Sequence, residues 1–161
     1  MRDMKNTHRR VLHALNVLAL VWAGMLLGVS FLATPAKFLA PSLSLPVALD
    51  VGRQTFALFS VVEIVAASAL LAAAILGRSE RLIPILAASV GSLVALEFVW
   101  LLPALDARVE IILRGGTPET SSLHSLYIVF EAAKLVLLGA IAWRAHAASV
   151  GHSGRIAADV R

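Results

Sequence analysis

Long apolar stretches alternate with short polar ones along the whole chain. Four of the stretches, residues 11–34, 55–76, 82–102 and 123–143, approach or exceed the roughly 20 residues that a helix needs to cross a bilayer about 30 Å thick. Short connections between such helices favour neighbours that run in opposite directions. The pattern predicts an all-α polytopic membrane protein, with residues 1–161 forming one antiparallel four-helix transmembrane bundle. Residues 145–161 are expected to form its tail, either as a short surface helix or disordered.

The composition supports a membrane protein and excludes several chemistries. Hydrophobic residues make up 59% of the 161 residues and charged residues 15%, which is more apolar than an ordinary soluble domain. The chain has no cysteine, so disulfides, thiolate nucleophiles and cysteine-ligated clusters are excluded. The net charge of +4 does not indicate nucleic-acid binding, because the basic residues lie at the boundaries of apolar stretches.

The distribution of basic residues predicts the orientation. Nine lie at the amino end, in the middle connection and in the tail: Arg2, Lys5, Arg9, Arg10, Arg78, Arg81, Arg144, Arg155 and Arg161. Four lie in the other two connections: Lys37, Arg53, Arg108 and Arg114. By the positive-inside rule both termini are expected in the cytoplasm, in a multi-pass protein of the bacterial inner membrane. The first stretch exceeds the apolar core of a signal peptide and is interpreted as a helix. Of the predicted outer residues, Arg53, Arg108 and Arg114 are candidates for binding.

Three glutamates lie inside separate apolar stretches. Glu63, Glu97 and Glu131 each carry an ionisable group into a segment where it costs about 2.5 to 3.5 kcal/mol in lipid, so they should face protein or water. In the predicted topology all three lie roughly 8 to 12 Å below the outer boundary. The sequence therefore predicts one polar layer near the outer face.

The last apolar stretch carries a polar stripe. His124, Tyr127, Glu131 and Lys134 share one face of a helix, opposite Leu, Val and Ala. One interpretation is a structural ion pair between Glu131 and Lys134 that fixes helix orientation. The other is a proton or cation path, or a polar cavity for a small solute. Both remain open at this point.

Metal and cofactor binding are weighed against the same residues. Glu63, Glu97, Glu131 and His124 could in principle bind a divalent metal, but the Glu-x-x-His pair of carboxylate-bridged centres is missing. No phosphate loop, nucleophile elbow or dinucleotide fingerprint occurs. No cofactor and no catalytic residue are favoured, and an enzyme is the less favoured interpretation.

Short motifs across most of the bundle are similar to a known family. The segments GVSFLATPAKFLAPSLSLP, WLLPALDARVEIILRGGTP and SSLHSLYIVFEAAKL resemble small bacterial proteins of the transmembrane protein 205-like family, a domain of unknown function (number 4149). The resemblance implies a four-helix membrane fold and leaves the chemistry open. It also implies a set of matching positions: Pro35, Phe38, Phe59, Pro103, Arg108 and His124.

Three classes of function are consistent with these features. The preferred one is a non-catalytic accessory subunit or assembly factor of a membrane complex, which would use small-residue faces such as Gly24-x-x-x-Gly28 to dock on other subunits or on itself. The alternatives are a small proton-linked transporter or permease and a membrane oxidoreductase that binds a quinone or metal. The lipid bilayer is the expected partner in every case, and nucleic acid is not.

Overall fold

The described residues form four long helices. The computed structural model describes the backbone of residues 2–77 and 79–158 and the side chains of residues 6–77 and 79–150. Helix α1 covers residues 2–39, α2 Leu45–Leu76, α3 Leu82–Leu113 and α4 Leu123–Ala158, and no strand occurs in the described backbone. Each helix is long and apolar enough to cross a membrane, which confirms the predicted all-helical fold with four such helices. Five residues of the orientation argument have side chains outside the described residues: Arg2, Lys5, Arg78, Arg155 and Arg161.

The helices extend beyond the apolar stretches that predicted them. The residues predicted to connect the first two helices are themselves mostly helical, since α1 ends at Leu39 and α2 begins at Leu45. Pro46 lies in the first turn of α2, where a missing N–H removes no helical hydrogen bond. At the other end of the chain, α4 continues without interruption through most of the predicted tail.

Two prolines lie within helices, each after a wider, π-helical segment, and do not end them. A π-helical segment, Leu27–Ala33, precedes Pro35 in α1, and a second, Glu97–Leu101, precedes Pro103 in α3. Proline cannot donate to the carbonyl four residues earlier and its ring clashes with that carbonyl, so a wider turn relieves both problems. In α1 the Thr34 hydroxyl donates to the Val29 carbonyl at 2.8 Å and satisfies one acceptor of the widened segment.

Helix α3 ends in a glycine motif. Gly115 has a φ of 79°, which a residue with a Cβ adopts at a cost. Its N–H donates to the Ile112 carbonyl, and the Gly116 N–H donates to the Ile111 carbonyl, both at 2.9 Å. These are the two bonds of a Schellman motif, which closes the last turn and starts the connection to α4.

Each helix packs against its neighbours through one narrow row of buried residues, which we call its seam. Helix α1 packs against α2 and α4, and α3 packs against the same two helices. In every helix the buried residues recur at alternating intervals of three and four, the spacing of left-handed helix packing. The seams contain Leu12, Leu15, Ala19, Trp22 and Leu26 in α1; Ser60, Glu63, Ala67, Leu70 and Ala74 in α2; Ile83, Ala87, Val90, Val94 and Glu97 in α3; and Glu131, Lys134, Leu138, Ile141 and Ala145 in α4.

The outer surface of the helices is apolar. Large side chains such as Leu58, Val99 and Val136 are more than 70% exposed, while four charged side chains lie in the interior seams. A soluble protein shows the opposite distribution, because exposed apolar area is unfavourable in water. The arrangement fits a protein whose outer surface contacts lipid.

Candidate functional site

Lys134 is the centre of a buried cluster of charged side chains. Its Nζ atom lies 2.8 and 3.0 Å from the two carboxylate oxygens of Glu63, 2.5 Å from Glu97 Oε2 and 2.7 Å from Glu131 Oε1. The exposed fraction is 0% for the lysine and 3% or less for each glutamate. One ammonium thus connects α2, α3 and α4. We call these four residues the carboxylate cluster.

The first helix contributes to the cluster through a tryptophan. The indole Nε1–H of Trp22 donates to Glu63 Oε1 at 3.3 Å, and its ring is buried. The sequence analysis did not connect Trp22 with a glutamate. Its position in the α1 seam, one turn from Ala19 and Leu26, is the sequence signal that would have indicated an inward orientation.

The cluster has more carboxylates than counter-charges. Three ionised carboxylates and one ammonium carry a net charge of −2. Among the described residues, Glu97 Oε1 and Glu131 Oε2 have no hydrogen-bond donor, whereas Glu131 Oε1 lies 2.7 Å from the Lys134 ammonium. A buried oxygen without a donor costs free energy, and an uncompensated buried charge costs more. The cluster therefore lacks the counter-charges and donors that a purely structural ion-pair network needs.

Glu97 occupies an irregular position in its helix. It is the first residue of the π-helical segment Glu97–Leu101, which precedes Pro103. Single widened turns of this kind are frequent at functional sites, because they re-aim side chains and leave backbone groups outside the regular ladder. The backbone of α3 is therefore distorted at the residue that reaches Lys134.

A small cavity borders the cluster. It has a volume of about 250 Å³ and is lined by Glu131, Tyr127 and His124 of α4 together with residues of α1 and Phe56 of α2. The buried Tyr127 hydroxyl lies 3.4 Å from Ser30 Oγ, and its ring packs against Phe56 with centroids 5.0 Å apart. Polar groups of Tyr127 and Ser30 therefore line the same cavity as the Glu131 carboxylate.

A larger cavity adjoins the small one. Its volume is about 770 Å³, and it shares Thr34, Phe38, Phe56 and His124 with its neighbour. His124 is exposed and lines both cavities, so it lies apart from the ion-paired cluster with which it shares a helix face. The two cavities together connect the neighbourhood of Glu131 with residues of α2 and α3.

The candidate arginines form a separate network. Arg53 lies 2.8 Å from Asp50, 3.4 Å from Asp106 and 3.1 Å from Glu110, so it joins α2 to α3. Arg114 pairs with Glu110 at 2.9 Å and is largely exposed. The Arg108 guanidinium donates to the Glu119 carbonyl and thereby holds the connection that follows α3. Arg53 and Arg108 line the larger cavity.

The three glutamates also meet the spacing of a metal site. One oxygen from each lies within 4.8 Å of the others, whereas His124 does not join this group. However, the Lys134 ammonium already contacts all three carboxylates at 2.8 Å or less. A metal ion would have to displace an ammonium that is covalently part of α4.

These features define a class: a protein of four helices, each long and apolar enough to cross a membrane, with a buried carboxylate and lysine cluster beside two cavities. Compared with known proteins, the chain matches no protein-family model, no curated protein and no solved structure. The residues of the cluster and the cavities are therefore the basis for assigning a function.

Proposed function

We propose that this protein is a small proton-linked transporter or permease that takes up and releases protons at the carboxylate cluster. The observation that carries the proposal is the surplus of two carboxylates over the single ammonium, with two buried oxygens, Glu97 Oε1 and Glu131 Oε2, that have no donor among the described residues. A structural ion pair is best balanced, because unpaired buried charge is costly. Binding one or two protons reduces the net charge to −1 or to zero.

Protons fit the cluster better than a metal ion does. Lys134 contacts every carboxylate, so the cation position at the centre is already filled by its ammonium. A proton binds a carboxylate oxygen without displacing that ammonium. Glu131 is the residue we assign to proton exchange, since its Oε2 has no donor among the described residues and it borders the small cavity.

The cavities provide a path for protons between Glu131 and water. Tyr127 and Ser30 lie in the small cavity beside Glu131, and His124 joins it to the larger one. Hydroxyl and imidazole groups can accept and donate protons, so they can relay them to water in the larger cavity. In the antiparallel bundle with both termini in the cytoplasm that we propose, the larger cavity lies toward the outer face of the inner membrane.

We further propose that the chain is related to the transmembrane protein 205-like family, which its motifs resemble. Five of its six matching positions line one or both cavities: Pro35, Phe38, Pro103, Arg108 and His124. The sixth, Phe59, is buried in the hydrophobic core. Positions picked out by sequence motifs thus gather around the cavities, which supports a function there.

Proton flux in liposomes tests the proposal. Purified protein is reconstituted into liposomes that enclose a pH-sensitive dye, and a potassium diffusion potential drives protons inward. We expect wild-type protein to acidify the lumen faster than protein-free liposomes do. Glu131→Gln keeps the shape of the side chain but cannot exchange a proton, so its rate should fall to that of protein-free liposomes.

A matched variant controls for the loss of a carboxylate in general. Glu80 pairs with Arg144 at 2.7 Å, away from the cluster and partly exposed, so Glu80→Gln should retain the wild-type rate. Equal acidification by wild type and Glu131→Gln would remove Glu131 from proton movement and overturn its assignment. A wild-type rate equal to that of protein-free liposomes would reject the transport function itself.

A second candidate function rests on outward-facing glycines. A Cβ added at Gly24 or Gly28 would meet nothing within 4 Å, so this pair of α1 does not pack inside the protein. In membranes, glycines four residues apart commonly form flat surfaces for another helix. This favours docking on a second subunit, as in an accessory subunit or assembly factor. Purification in mild detergent should then recover a stoichiometric partner or a dimer, whereas a monodisperse monomer would contradict it.

A further inference from the structure

Lys37 lines the larger cavity without an acidic partner. Its Nζ atom lies 5.1 Å from the ring centroid of Phe38 and 5.7 Å from that of Phe56. Among the described side chains no carboxylate forms an ion pair with it, whereas Arg53 in the same wall contacts three. A half-buried ammonium between aromatic rings is stabilised by their faces but still lacks an anion.

A glycine makes room for this ammonium. A Cβ built on Gly52 would lie 2.0 Å from Lys37 Nζ and 3.3 Å from its Cε, so only a residue without a side chain allows the lysine to lie there. Gly52 is buried on α2, next to Arg53. The lysine head therefore lies against the backbone of α2 at Gly52.

The rest of the cavity is mostly apolar. Its walls include Phe56, Phe98, Leu102 and Ile112, and its volume of about 770 Å³ lies within the range of small-molecule sites. Asp106 is the acidic residue among its lining side chains, and it is paired with Arg53. The local charge at Lys37 is therefore positive, beside a long apolar space.

We propose that the larger cavity binds an amphiphilic anion, with a carboxylate or phosphate head on Lys37 and an apolar body between the phenylalanines. The ammonium can donate a charge-assisted hydrogen bond to an oxygen of such a head. The apolar body replaces water at the aromatic walls. A cationic ligand would be repelled by Lys37, and a neutral one would leave it without an anion. The proposal is independent of proton exchange at the carboxylate cluster.

Binding of a dansyl-labelled undecanoic acid to the full chain in nanodiscs of zwitterionic lipid tests the site. We expect dansyl fluorescence to rise on binding, and Lys37→Gln to weaken the affinity at least about tenfold because the charge-assisted bond is lost. Lys37→Arg should retain most of the affinity. Gly52→Ala should weaken binding much less than Lys37→Gln, because the flexible end of the lysine can move away from the added Cβ and keeps its charge.

Arg114→Gln is the matched control, since it removes an exposed cation that does not line the cavity, and it should bind like wild type. The labelled alcohol of equal length tests the head group on wild-type protein without any variant. Equal affinity for acid and alcohol, or unchanged affinity in Lys37→Gln, would overturn the proposal. Displacement of the probe by decanoate identifies a free acid, and displacement by nanodiscs containing phosphatidylglycerol identifies a lipid head group.

Discussion

Lys134 Nζ lies 2.8 Å from Glu63 Oε1, although 71 residues separate the two along the chain. Lys134 lies three residues from Glu131 in α4, but its ammonium is shared by carboxylates from three helices. The lysine therefore holds the interior together instead of neutralising one local neighbour. Replacing it leaves three carboxylates buried without a cation.

Lys134→Gln should be strongly destabilising. Removing one member of a buried ion pair typically costs about 3–5 kcal/mol, because the remaining charge is left uncompensated. Partial protonation of the glutamates would place the loss toward the lower end of that range. Reversible unfolding in mixed detergent micelles, with the helical circular dichroism signal as the readout, measures the change in free energy of unfolding.

The pair between Arg144 and Glu80 provides the control for that variant. It is an ion pair of similar length, 2.7 Å, but it is partly exposed. Arg144→Gln should have little effect, because exposed pairs are screened by solvent. If Lys134→Gln and Arg144→Gln lose the same free energy of unfolding, burial of the cluster does not determine the strength of its ion pairs.

The charge surplus predicts a protonated carboxyl group in the interior at neutral pH. Infrared spectra of the protein in lipid should contain the C=O stretching band of a carboxylic acid, since all four carboxylate-cluster side chains are nearly excluded from solvent. Substitution by glutamine of the glutamate that carries the proton, Glu63, Glu97 or Glu131, should remove most of this band. If the band is absent from wild-type protein at neutral pH, the cluster holds its full negative charge and the proton-exchange proposal fails.

Trp22→Phe should reveal the contribution of the indole donor. Phenylalanine keeps most of the apolar packing but cannot donate to Glu63, so a loss of about 1–2 kcal/mol in the free energy of unfolding is expected. Trp143→Phe is the matched control, because Trp143 is 72% exposed. Similar effects of both substitutions would show that the loss does not come from the hydrogen bond to Glu63.

Hydrophobic patterning predicted the four helices because each must present about 20 apolar residues to lipid. The widened turns before Pro35 and Pro103 could not be predicted in this way, since proline is compatible with either a helix end or a π-helical segment. If the proline ended the helix, α1 and α3 would end before it; because a π-helical segment forms instead, they continue to Leu39 and Leu113.

The members of the cluster were identifiable from sequence, but their contacts were not. An intramembrane glutamate indicates a polar interior because lipid cannot solvate it. Which carboxylate reaches Lys134 depends on helix rotation, and the sequence favoured the local Glu131. The seam spacing of three and four residues would have placed Glu63, Glu97 and Lys134 on inward faces together with the buried leucines. The cavities arise from packing between helices and have no signal along a single helix.

Gly24→Leu tests whether the outer glycine surface of α1 is an interface. Nothing lies within 4 Å of a Cβ at this position, so the isolated protein should fold with unchanged or slightly increased stability. Gly77 is the contrasting site, because a Cβ there would lie 2.2 Å from Val11 Cγ1, and Gly77→Ala should destabilise the contact between α1 and α2. If Gly24 contacts another subunit, Gly24→Leu should abolish that association in cross-linking from native membranes while the unfolding curve stays like wild type. Retained cross-linking would show that this face contacts only lipid.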